Sequence, residues 1–332
     1  MPSLIQNLNK FSRLAFRGYI SYLNYRFVRF VRSCLRFEAT NRDCFYADNE
    51  KDYSALISPQ KIPIFQPDKK WGHLEKNKWI VEQLKSNGMY HLHEIQLLTA
   101  AQTSPNKVNK KAIILHLFYP GLLAEILSIL DSNCDFYISI PDWLSAVHYR
   151  EIKSRLPNAY ISVCENKGRD FAPFLQLFTM IQHLDYQWIC KIHSKKSSRS
   201  VDGDLWRKDT LASLFHSSTL QSLDDTSSVE PAVGLIGPRY SQLPQDLFLF
   251  KNLNHLQNLH RVLLISNPAK YFTAGSMFWF KPPALRGLTE IKDQIVFEPE
   301  NKQIDGTMAH ALERVMNTIV EKNGFFCLEA KH

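Results

Sequence analysis

Short apolar segments alternate with amphipathic segments along the chain from residue 111 onward. Four apolar runs have the length of buried strands, and a stretch with helical spacing follows each of the first three. This alternation predicts a parallel sheet whose strands are joined by crossover helices. The predicted strands cover residues 112–118, 136–140, 160–164 and 188–193, and the predicted helices cover residues 120–130, 145–156 and 171–184.

The last third of the chain adds further elements to this α/β pattern. A fifth buried strand is predicted over residues 233–237, and a helix over residues 308–320. Between them, the apolar segment 271–280 carries Gly275 and Ser276 at its middle. Small residues inside a strand permit close approach of the backbone by a ligand or by a packed neighbour.

Polar residues directly follow the third predicted strand. Ligands of open parallel sheets bind beyond the carboxyl ends of the strands, so these residues are candidates for a site. Asn166 and Gly168 form the predicted turn, and Asp170 is expected to cap the next helix. Arg169 stands beside that helix N-terminus, where its guanidinium suits an anionic group.

The fourth predicted strand carries basic residues at its end. Lys191 and His193 are two residues apart and share a face, whereas Cys190 and Ile192 point to the other side. We expect the basic side to face a cleft, where Lys191, His193 and Lys195 would neutralise a diphosphate without a metal ion. A solvated run of surface charge is the alternative.

Acidic residues precede the last predicted helix. Asp305 stands at its start, where a capping residue is expected, and Glu298 and Glu300 lie just before it. Three polar residues on the helix can share one side: His310, Glu313 and Arg314.

The charge of the chain is concentrated at its beginning. The 332 residues carry a net charge of +8, of which residues 1–40 supply +6. Aromatic residues alternate with the arginines there, which fits a helix at an anionic lipid surface and equally a helix docked on its own domain. The near-neutral remainder makes a nucleic-acid-binding protein a poor third interpretation.

Neither a membrane span nor a disulfide framework is predicted. The most apolar stretch, residues 112–130, is interrupted by His116, Pro120 and Glu125. The opening residues lack the pattern of a secretory leader, so we expect a cytoplasmic protein. The six cysteines include no C-x-x-C pair, so no zinc site is expected either. We predict an N-terminal arm over residues 1–40, a linker and helical region over residues 41–110, and a catalytic domain over residues 111–332.

Five blocks of sequence carry a resemblance to a known family. The blocks are HLFYPGLLAEIL (116–127), NKGRDFAPFL (166–175), CKIHSKKS (190–197), GSMFWFKPPAL (275–285) and QIDGTMAHALERV (303–315). They resemble the rhamnan synthesis protein F family of bacterial polysaccharide rhamnosyltransferases. The resemblance covers about residues 111–328, and residues 1–110 carry no comparable match.

The resemblance implies a transferase acting in cell-surface or lipopolysaccharide synthesis. Such an enzyme moves a deoxysugar, typically L-rhamnose from dTDP-L-rhamnose, onto a polysaccharide or a lipid-linked glycan. The order of segments is also similar to the nucleotide-sugar-binding fold of A-type glycosyltransferases, whose fourth strand commonly ends in Asp-x-Asp. This chain has Lys191-Ile192-His193 there, so we expect neither a metal ion nor a cofactor.

Roles for individual residues follow from the same resemblance. In inverting enzymes of that fold a carboxylate near the start of a late helix deprotonates the acceptor, which implicates Asp305, with Glu300 and Glu298 as alternatives. The expected donor-binding residues are Asn166, Gly168, Arg169, Asp170, Lys191, His193 and Lys195. The expected contacts to the acceptor or the sugar are Gly275, Ser276, Trp279, His310, Glu313 and Arg314, although Trp279 fits a core position equally well.

The expected partners are a nucleotide-sugar donor, a glycan acceptor and, through residues 1–36, the anionic inner face of the cell membrane. Nucleic acid is not expected. The alternative function is that of a non-catalytic, membrane-associated factor in glycan assembly. Turnover of a donor separates the two.

Overall fold

Four parallel strands form one half of a seven-stranded sheet. They are β1 (Lys111–His116), β2 (Cys134–Pro141), β3 (Tyr160–Cys164) and β4 (Trp188–His193). The computed structural model describes residues 98–100, 102, 104–144, 146–194, 203–224, 232–301 and 303–330. The predicted strands are confirmed, those at 160–164 and 188–193 to the residue. Their spatial order is β3-β2-β1-β4.

The other half of the sheet is mixed. β5 (Val233–Gly237) is followed by β6 (Gln242–Pro244), β7 (Tyr271–Thr273), β8 (Phe278–Phe280) and β9 (Phe326–Glu329). β8 lies antiparallel between β4 and β5, and β9 pairs parallel with β5 at the far edge. β6 and β7 form a separate antiparallel pair. The sheet is therefore mostly parallel, and the expected α/β class is confirmed.

The apolar segment 271–280 is divided between these two sheets. Gly275 and Ser276 separate β7 from β8, with φ angles of 94° and 58°. Two successive residues in the left-handed region turn the chain sharply, and only glycine enters that region without steric cost. The pair of small residues thus marks a turn in the middle of the apolar segment.

Eight α-helices lie entirely within the described part of the chain, and residues 98–100 are also helical. They are α1 (Leu123–Leu127), α2 (Ala146–Arg155), α3 (Phe171–Ile181), α4 (Gly203–Leu214), α5 (Ser217–Asp224), α6 (Leu253–Val262), α7 (Arg286–Glu290) and α8 (Met308–Lys322). The predicted helices correspond to α1 with its preceding 3-10 turn, α2, α3 with its following 3-10 turn, and α8. None of these helices is both long and apolar enough to cross a membrane.

Apolar clusters cover both faces of the sheet. On one face, Phe174 and Phe178 of α3 pack with Phe280 of β8 and with α8. On the other face, Ile113 and Trp279 lie in a second cluster that includes α4. A strand inside such a sheet has no solvated side, because both of its faces meet helices.

The N-terminal predictions lie mostly outside the described residues. The arm over residues 1–40 and the linker and helical region as far as residue 97 are among these. Described residues 104–110 lead into β1. The carboxylate of Asp135, on β2, accepts hydrogen bonds from the backbone amides of Val108 (2.8 Å) and Asn109 (3.1 Å) in this segment. Gly203 aside, the described residues belong to one compact unit.

Candidate active site

The order in which successive strands are added to the sheet reverses between the parallel strands β1 and β4. From β1 the chain moves outward through β2 and β3, then returns to place β4 on the other side of β1. His116 and His193 end these two strands and are paired in register. The Ser194 amide donates to the His116 carbonyl (2.9 Å), and the Ser194 hydroxyl accepts from the Tyr119 amide (2.8 Å). Ligands of open α/β sheets bind at such a point.

Lys191 lies just inside this point and is already paired. It is 1% exposed, forms an ion pair with Asp170, and donates a hydrogen bond to the Ser276 carbonyl (2.7 Å). Its ammonium also lies 4.3 Å from the centroid of the Phe171 ring. The expectation that Lys191 faces an open cleft is wrong, because α3 covers that face of the sheet.

The Asp170 side chain binds across the fold instead of capping α3. Asp170 is the N-cap residue by position, but its carboxylate makes no capping hydrogen bond and pairs with Lys191. Burial opposes ionisation of Asp170, yet the charges of Lys191 and His193 outweigh it and lower the pKa of the carboxyl group. Burial lowers the pKa of Lys191. The predicted capping role is therefore wrong.

The turn after β3 directs Arg169 toward the end of the chain. Gly168 and Arg169 have φ angles of 67° and 56°, and a side chain at Gly168 would lie 2.5 Å from the Phe297 ring. The Arg169 guanidinium donates to Glu300 (3.2 Å), to His310 Nε2 (2.8 Å) and to the Gln303 carbonyl. The predicted anion-binding group thus has a carboxylate partner within the protein.

His310 is neutral and held in one tautomer. A guanidinium can only donate, so Nε2 of His310 is the acceptor and Nδ1 carries the proton that it donates to the Thr307 hydroxyl (2.8 Å). Burial, together with the charge of Arg169, lowers the pKa of His310 to about 4.

β4 and α8 hold the Gly275–Ser276 turn from two sides. His193 Nε2 donates to the Gly275 carbonyl (3.1 Å), and the Gly275 amide donates to Glu313 Oε1 (2.6 Å). A side chain at Gly275 would lie 2.8 Å from the Trp206 ring. The structure therefore brings Glu313, His193 and the Lys191–Asp170 pair to one turn, although they are distant in sequence.

The three carboxylates predicted as bases have different partners, and the partner of Glu300 is Arg169. Asp305 accepts from the Asn252 side chain (2.9 Å) and the Lys251 amide (3.2 Å), and it pairs with Arg314 (3.3 Å). Burial raises its pKa, but these contacts overcome that effect and the net pKa is lowered. Glu298 accepts from the Met308 amide at the start of α8 (3.0 Å).

The predicted capping role of Asp305 is wrong for a related reason. The N-cap of α8 is Thr307, which makes no side-chain capping bond, and the Glu298 carboxylate binds the first helical amide in its place. The Asp305 carboxylate is held by Lys251 and Asn252, more than 50 positions earlier in the chain, and by Arg314.

Other predicted residues lie in different surroundings. Trp279 is fully buried, and its indole donates to the Leu214 carbonyl (3.0 Å), so it has the core position. Asn166 is exposed in the turn after β3, and Lys195 lies outside the described residues. Arg314 donates to the carbonyls of Phe248 and His310, both at 2.7 Å. Where the structure describes the chain, no group of three metal-ligating side chains occurs.

His116 is a further polar residue at this point that the sequence pattern did not single out. Its Nδ1 lies 2.9 Å from the Ser139 hydroxyl, and burial lowers its pKa to about 3. The same rule that selected the ends of the third and fourth strands, applied to the first strand, would have selected this residue.

Comparison with known proteins places the chain in a family. It matches the family described as rhamnan synthesis protein F over residues 76–325. Two relatives, each named "Uncharacterized protein WxcX", come from Xanthomonas campestris pv. campestris strains B100 and ATCC 33913. Each is 33% identical to this chain over 218 residues, which make up 64% of this chain and 31% of the relative. This chain therefore spans about a third of the length of these curated relatives.

Two further results of the comparison concern solved structures and residues 76–110. No solved structure matches the chain significantly. The family match begins at residue 76, so the expectation that residues 1–110 carry no match is wrong for residues 76–110. Since the match covers about three quarters of the sequence, this chain belongs to the rhamnan synthesis protein F family.

Proposed function

We propose that this chain is a glycosyltransferase of polysaccharide synthesis. It would transfer a deoxysugar, L-rhamnose, from a nucleoside-diphosphate donor to a cell-surface polysaccharide or a lipid-linked glycan. The observation that carries the proposal is that His116, His193 and the Lys191–Asp170 pair lie together between β1 and β4, where the strand order reverses. Family membership supplies the link to rhamnan synthesis.

The topology supports a nucleotide-binding role. Four parallel strands followed by an antiparallel strand and a further parallel pair are compatible with the A-type glycosyltransferase fold. In such a sheet the donor would lie across the carboxyl ends of β1 and β4. The turn residues Asn166, Gly168 and Arg169 would border the donor at the end of β3.

Different residues would supply and position the positive charge at the diphosphate. Lys191 is buried and Arg169 is paired with Glu300, so we assign both a positioning role. Lys195 follows β4 by two residues in sequence, and we propose that it contacts the phosphates together with His193. A compact ammonium on a flexible side chain suits such a contact.

Glu313 is the carboxylate that we assign to proton abstraction. Its Oε1 accepts from the Gly275 amide (2.6 Å), and its Oε2 forms an ion pair with Arg314 at 3.6 Å, longer than a hydrogen bond. We propose that Oε2 takes the proton. Both oxygens of Asp305, in contrast, already accept from Asn252 (2.9 and 3.0 Å).

The proposed reaction is a single displacement that inverts the sugar. The acceptor oxygen attacks the anomeric carbon, its proton passes to Glu313, and the bond between that carbon and the diphosphate oxygen breaks. The diphosphate leaves with the bonding electron pair. General-base help of this kind contributes about 10² to 10⁴ in rate.

A metal ion is not part of this proposal. β4 ends in Lys191, Ile192 and His193, whereas a metal-binding Asp-x-Asp would supply carboxylate oxygens at the same place. Negative charge developing on the leaving diphosphate would be stabilised by fixed cations and oriented donors.

We further propose that residues 1–36 bring the enzyme to the inner face of the cell membrane. The support is their combination of basic and aromatic residues. Sedimentation with anionic vesicles tests this, and a full chain that binds no better than one lacking residues 1–36 would contradict it. The catalytic proposal is tested by release of nucleoside diphosphate from a panel of nucleotide sugars.

A further inference from the structure

Three aromatic rings meet beyond the carboxyl ends of β1 and β2. Phe118 lies two residues after β1, and its ring centroid is 4.9 Å from Tyr119 and 5.3 Å from Trp143. Trp143 follows β2 by two residues. None of these rings takes part in the proposed reaction.

Both loops that carry the rings are fixed to the sheet. The Leu117 amide donates to the Ser139 carbonyl (2.8 Å), and the Tyr119 amide donates to the Ser194 hydroxyl (2.8 Å). The turn that holds Trp143 is tied to β3, because the Asp142 amide donates to the Cys164 carbonyl (2.8 Å). The rings are therefore held in place by hydrogen bonds from their loops to β2, to β3 and to Ser194, the residue after β4.

Phe118 is the ring of this group that lies outside the core. Tyr119 and Trp143 pack against the apolar cluster behind β1, whereas Phe118 belongs to neither core cluster and is partly exposed. Its ring makes angles of 74° and 78° with Tyr119 and Trp143. Among the residues that the structure describes, no ring stacks parallel on Phe118.

The position of Phe118 relative to the residues assigned to the phosphates suggests its ligand. The ring centroid lies 6.2 Å from that of His116, whose strand partner is His193. A ligand that reaches both places needs a flat group at one end and an anionic group at the other. A nucleoside diphosphate has this arrangement, since its base is separated from its phosphates by one sugar.

We propose that Phe118 is the stacking residue for the base of the nucleoside-diphosphate donor, with Tyr119 and Trp143 as its supports. This inference rests on the proposed function and adds the base subsite to it. Stacking on an aromatic side chain accepts any base, because every base has a π-face. The affinity would come from the ring, and the choice of base from other groups.

Binding measurements on the full chain test this subsite. Calorimetry with dTDP, UDP and GDP identifies which diphosphate binds, and inorganic pyrophosphate reports the phosphate contacts alone. We expect Phe118→Leu to lower the affinity for the nucleoside diphosphate by about 5- to 150-fold, which is the effect of one lost stacking contact. Binding of pyrophosphate should be unchanged, and Phe118→Tyr should bind the nucleotide like the wild type.

Phe326→Leu provides a matched control, since Phe326 is an exposed phenylalanine on β9, at the far edge of the sheet. Its nucleotide affinity should equal that of the wild type. Equal nucleotide affinity in Phe118→Leu and the wild type would overturn the subsite, as would a parallel loss of pyrophosphate binding. A raised acceptor KM with unchanged nucleotide binding would assign the ring to the acceptor instead.

Failure of the subsite and failure of the proposed function give different results. Sugar transfer by the wild type, with nucleotide affinity unchanged in Phe118→Leu, removes the subsite and keeps the enzyme. Selective loss of nucleotide binding in Phe118→Leu, with no transfer from any donor by the wild type, keeps the subsite and removes the transferase.

Discussion

Lys191 of β4 and Asp170 at the start of α3 form an ion pair behind the carboxyl ends of β1 and β4. Lys191 is 1% exposed, and the Asp170 side chain is 17% exposed. The pair joins the turn after β3 to the central strand, and the second hydrogen bond of Lys191 joins both to the Ser276 carbonyl. Two turns that border the candidate site therefore depend on one buried ammonium.

Replacing Lys191 should destabilise the protein. Lys191→Met leaves the Asp170 carboxylate without its partner, and breaking a buried pair typically costs about 3–5 kcal/mol. We expect about 3 kcal/mol, because Asp170 keeps some contact with solvent. Urea unfolding measures the change, and the double variant with Asp170→Asn should recover part of the loss.

Lys208→Met is the control for that experiment. Lys208 is 56% exposed and lies 4.0 Å from Glu125, so its removal should cost less than about 1 kcal/mol. If Lys191→Met costs no more than Lys208→Met, the buried pair does not hold the turns.

Glu313 and Asp305 should respond differently to the loss of their negative charge, because we assign the role of general base to Glu313. Glu313→Gln keeps an oxygen for the Gly275 amide but cannot take a proton, so transfer should fall by about 10²- to 10⁴-fold with donor affinity retained. Asp305→Asn should reduce transfer far less, because its carboxylate is held by Asn252, Lys251 and Arg314.

Single-turnover rates and melting temperatures of both variants decide between the two carboxylates. A large loss in Asp305→Asn with near-normal transfer in Glu313→Gln would return the role to Asp305. Normal transfer in both would direct the search to Glu300, Glu298 and Asp170.

Acid should destabilise the fold through His116. Burial lowers the pKa of His116 to about 3 in the folded state, whereas a histidine in the unfolded chain has a pKa near 6.5. The unfolded state thus binds a proton that the folded state does not, so this stability is complete above pH 6.5 and is lost as the pH falls toward 3. Between pH 7 and 5 the loss amounts to about 2 kcal/mol.

Unfolding free energies of wild type and His116→Asn at both pH values measure this contribution. Asparagine retains a polar group for Ser139 but does not titrate, so the variant should lose about 2 kcal/mol less than the wild type over this pH range. His216→Asn, at an exposed position, should follow the wild type. An identical pH dependence in His116→Asn would contradict the assignment.

Transfer should persist in the presence of a chelator. The proposal assigns the diphosphate to His193 and Lys195 rather than to a divalent ion. Rates with and without excess EDTA should agree within twofold, provided that the protein was purified without added metal. Loss of transfer with EDTA, and recovery with Mg²⁺ or Mn²⁺, would show that a metal ion takes part.

The pattern of apolar residues predicted the sheet better than the site. β3 and β4 are short apolar runs bounded by polar residues, and local sequence is enough to define such strands. The predicted helix caps were wrong because the side chains of Asp170 and Asp305 bind residues from other parts of the chain. Asp170 binds Lys191, and Asp305 binds Asn252. The local sequence shows only that an acidic residue precedes a helix. It therefore predicts a capping role, because it holds no information about partners that are distant in the sequence.

The segment 271–280 shows a similar limit. Its apolar residues form two strands, β7 and β8, which lie in different sheets. The contacts that hold the turn between them come from His193 and Glu313. These residues are 82 and 38 positions away from Gly275, beyond the reach of any local pattern.

Donor turnover tests the central claim most directly. The purified 332-residue chain is incubated with a glycan acceptor and a panel of nucleotide sugars that includes dTDP-L-rhamnose, and the released nucleoside diphosphate is measured. The proposed function predicts acceptor-dependent release of dTDP, reduced by about 10²- to 10⁴-fold in Glu313→Gln. A folded chain that releases no nucleoside diphosphate from any donor would contradict it and favour a non-catalytic role in glycan assembly.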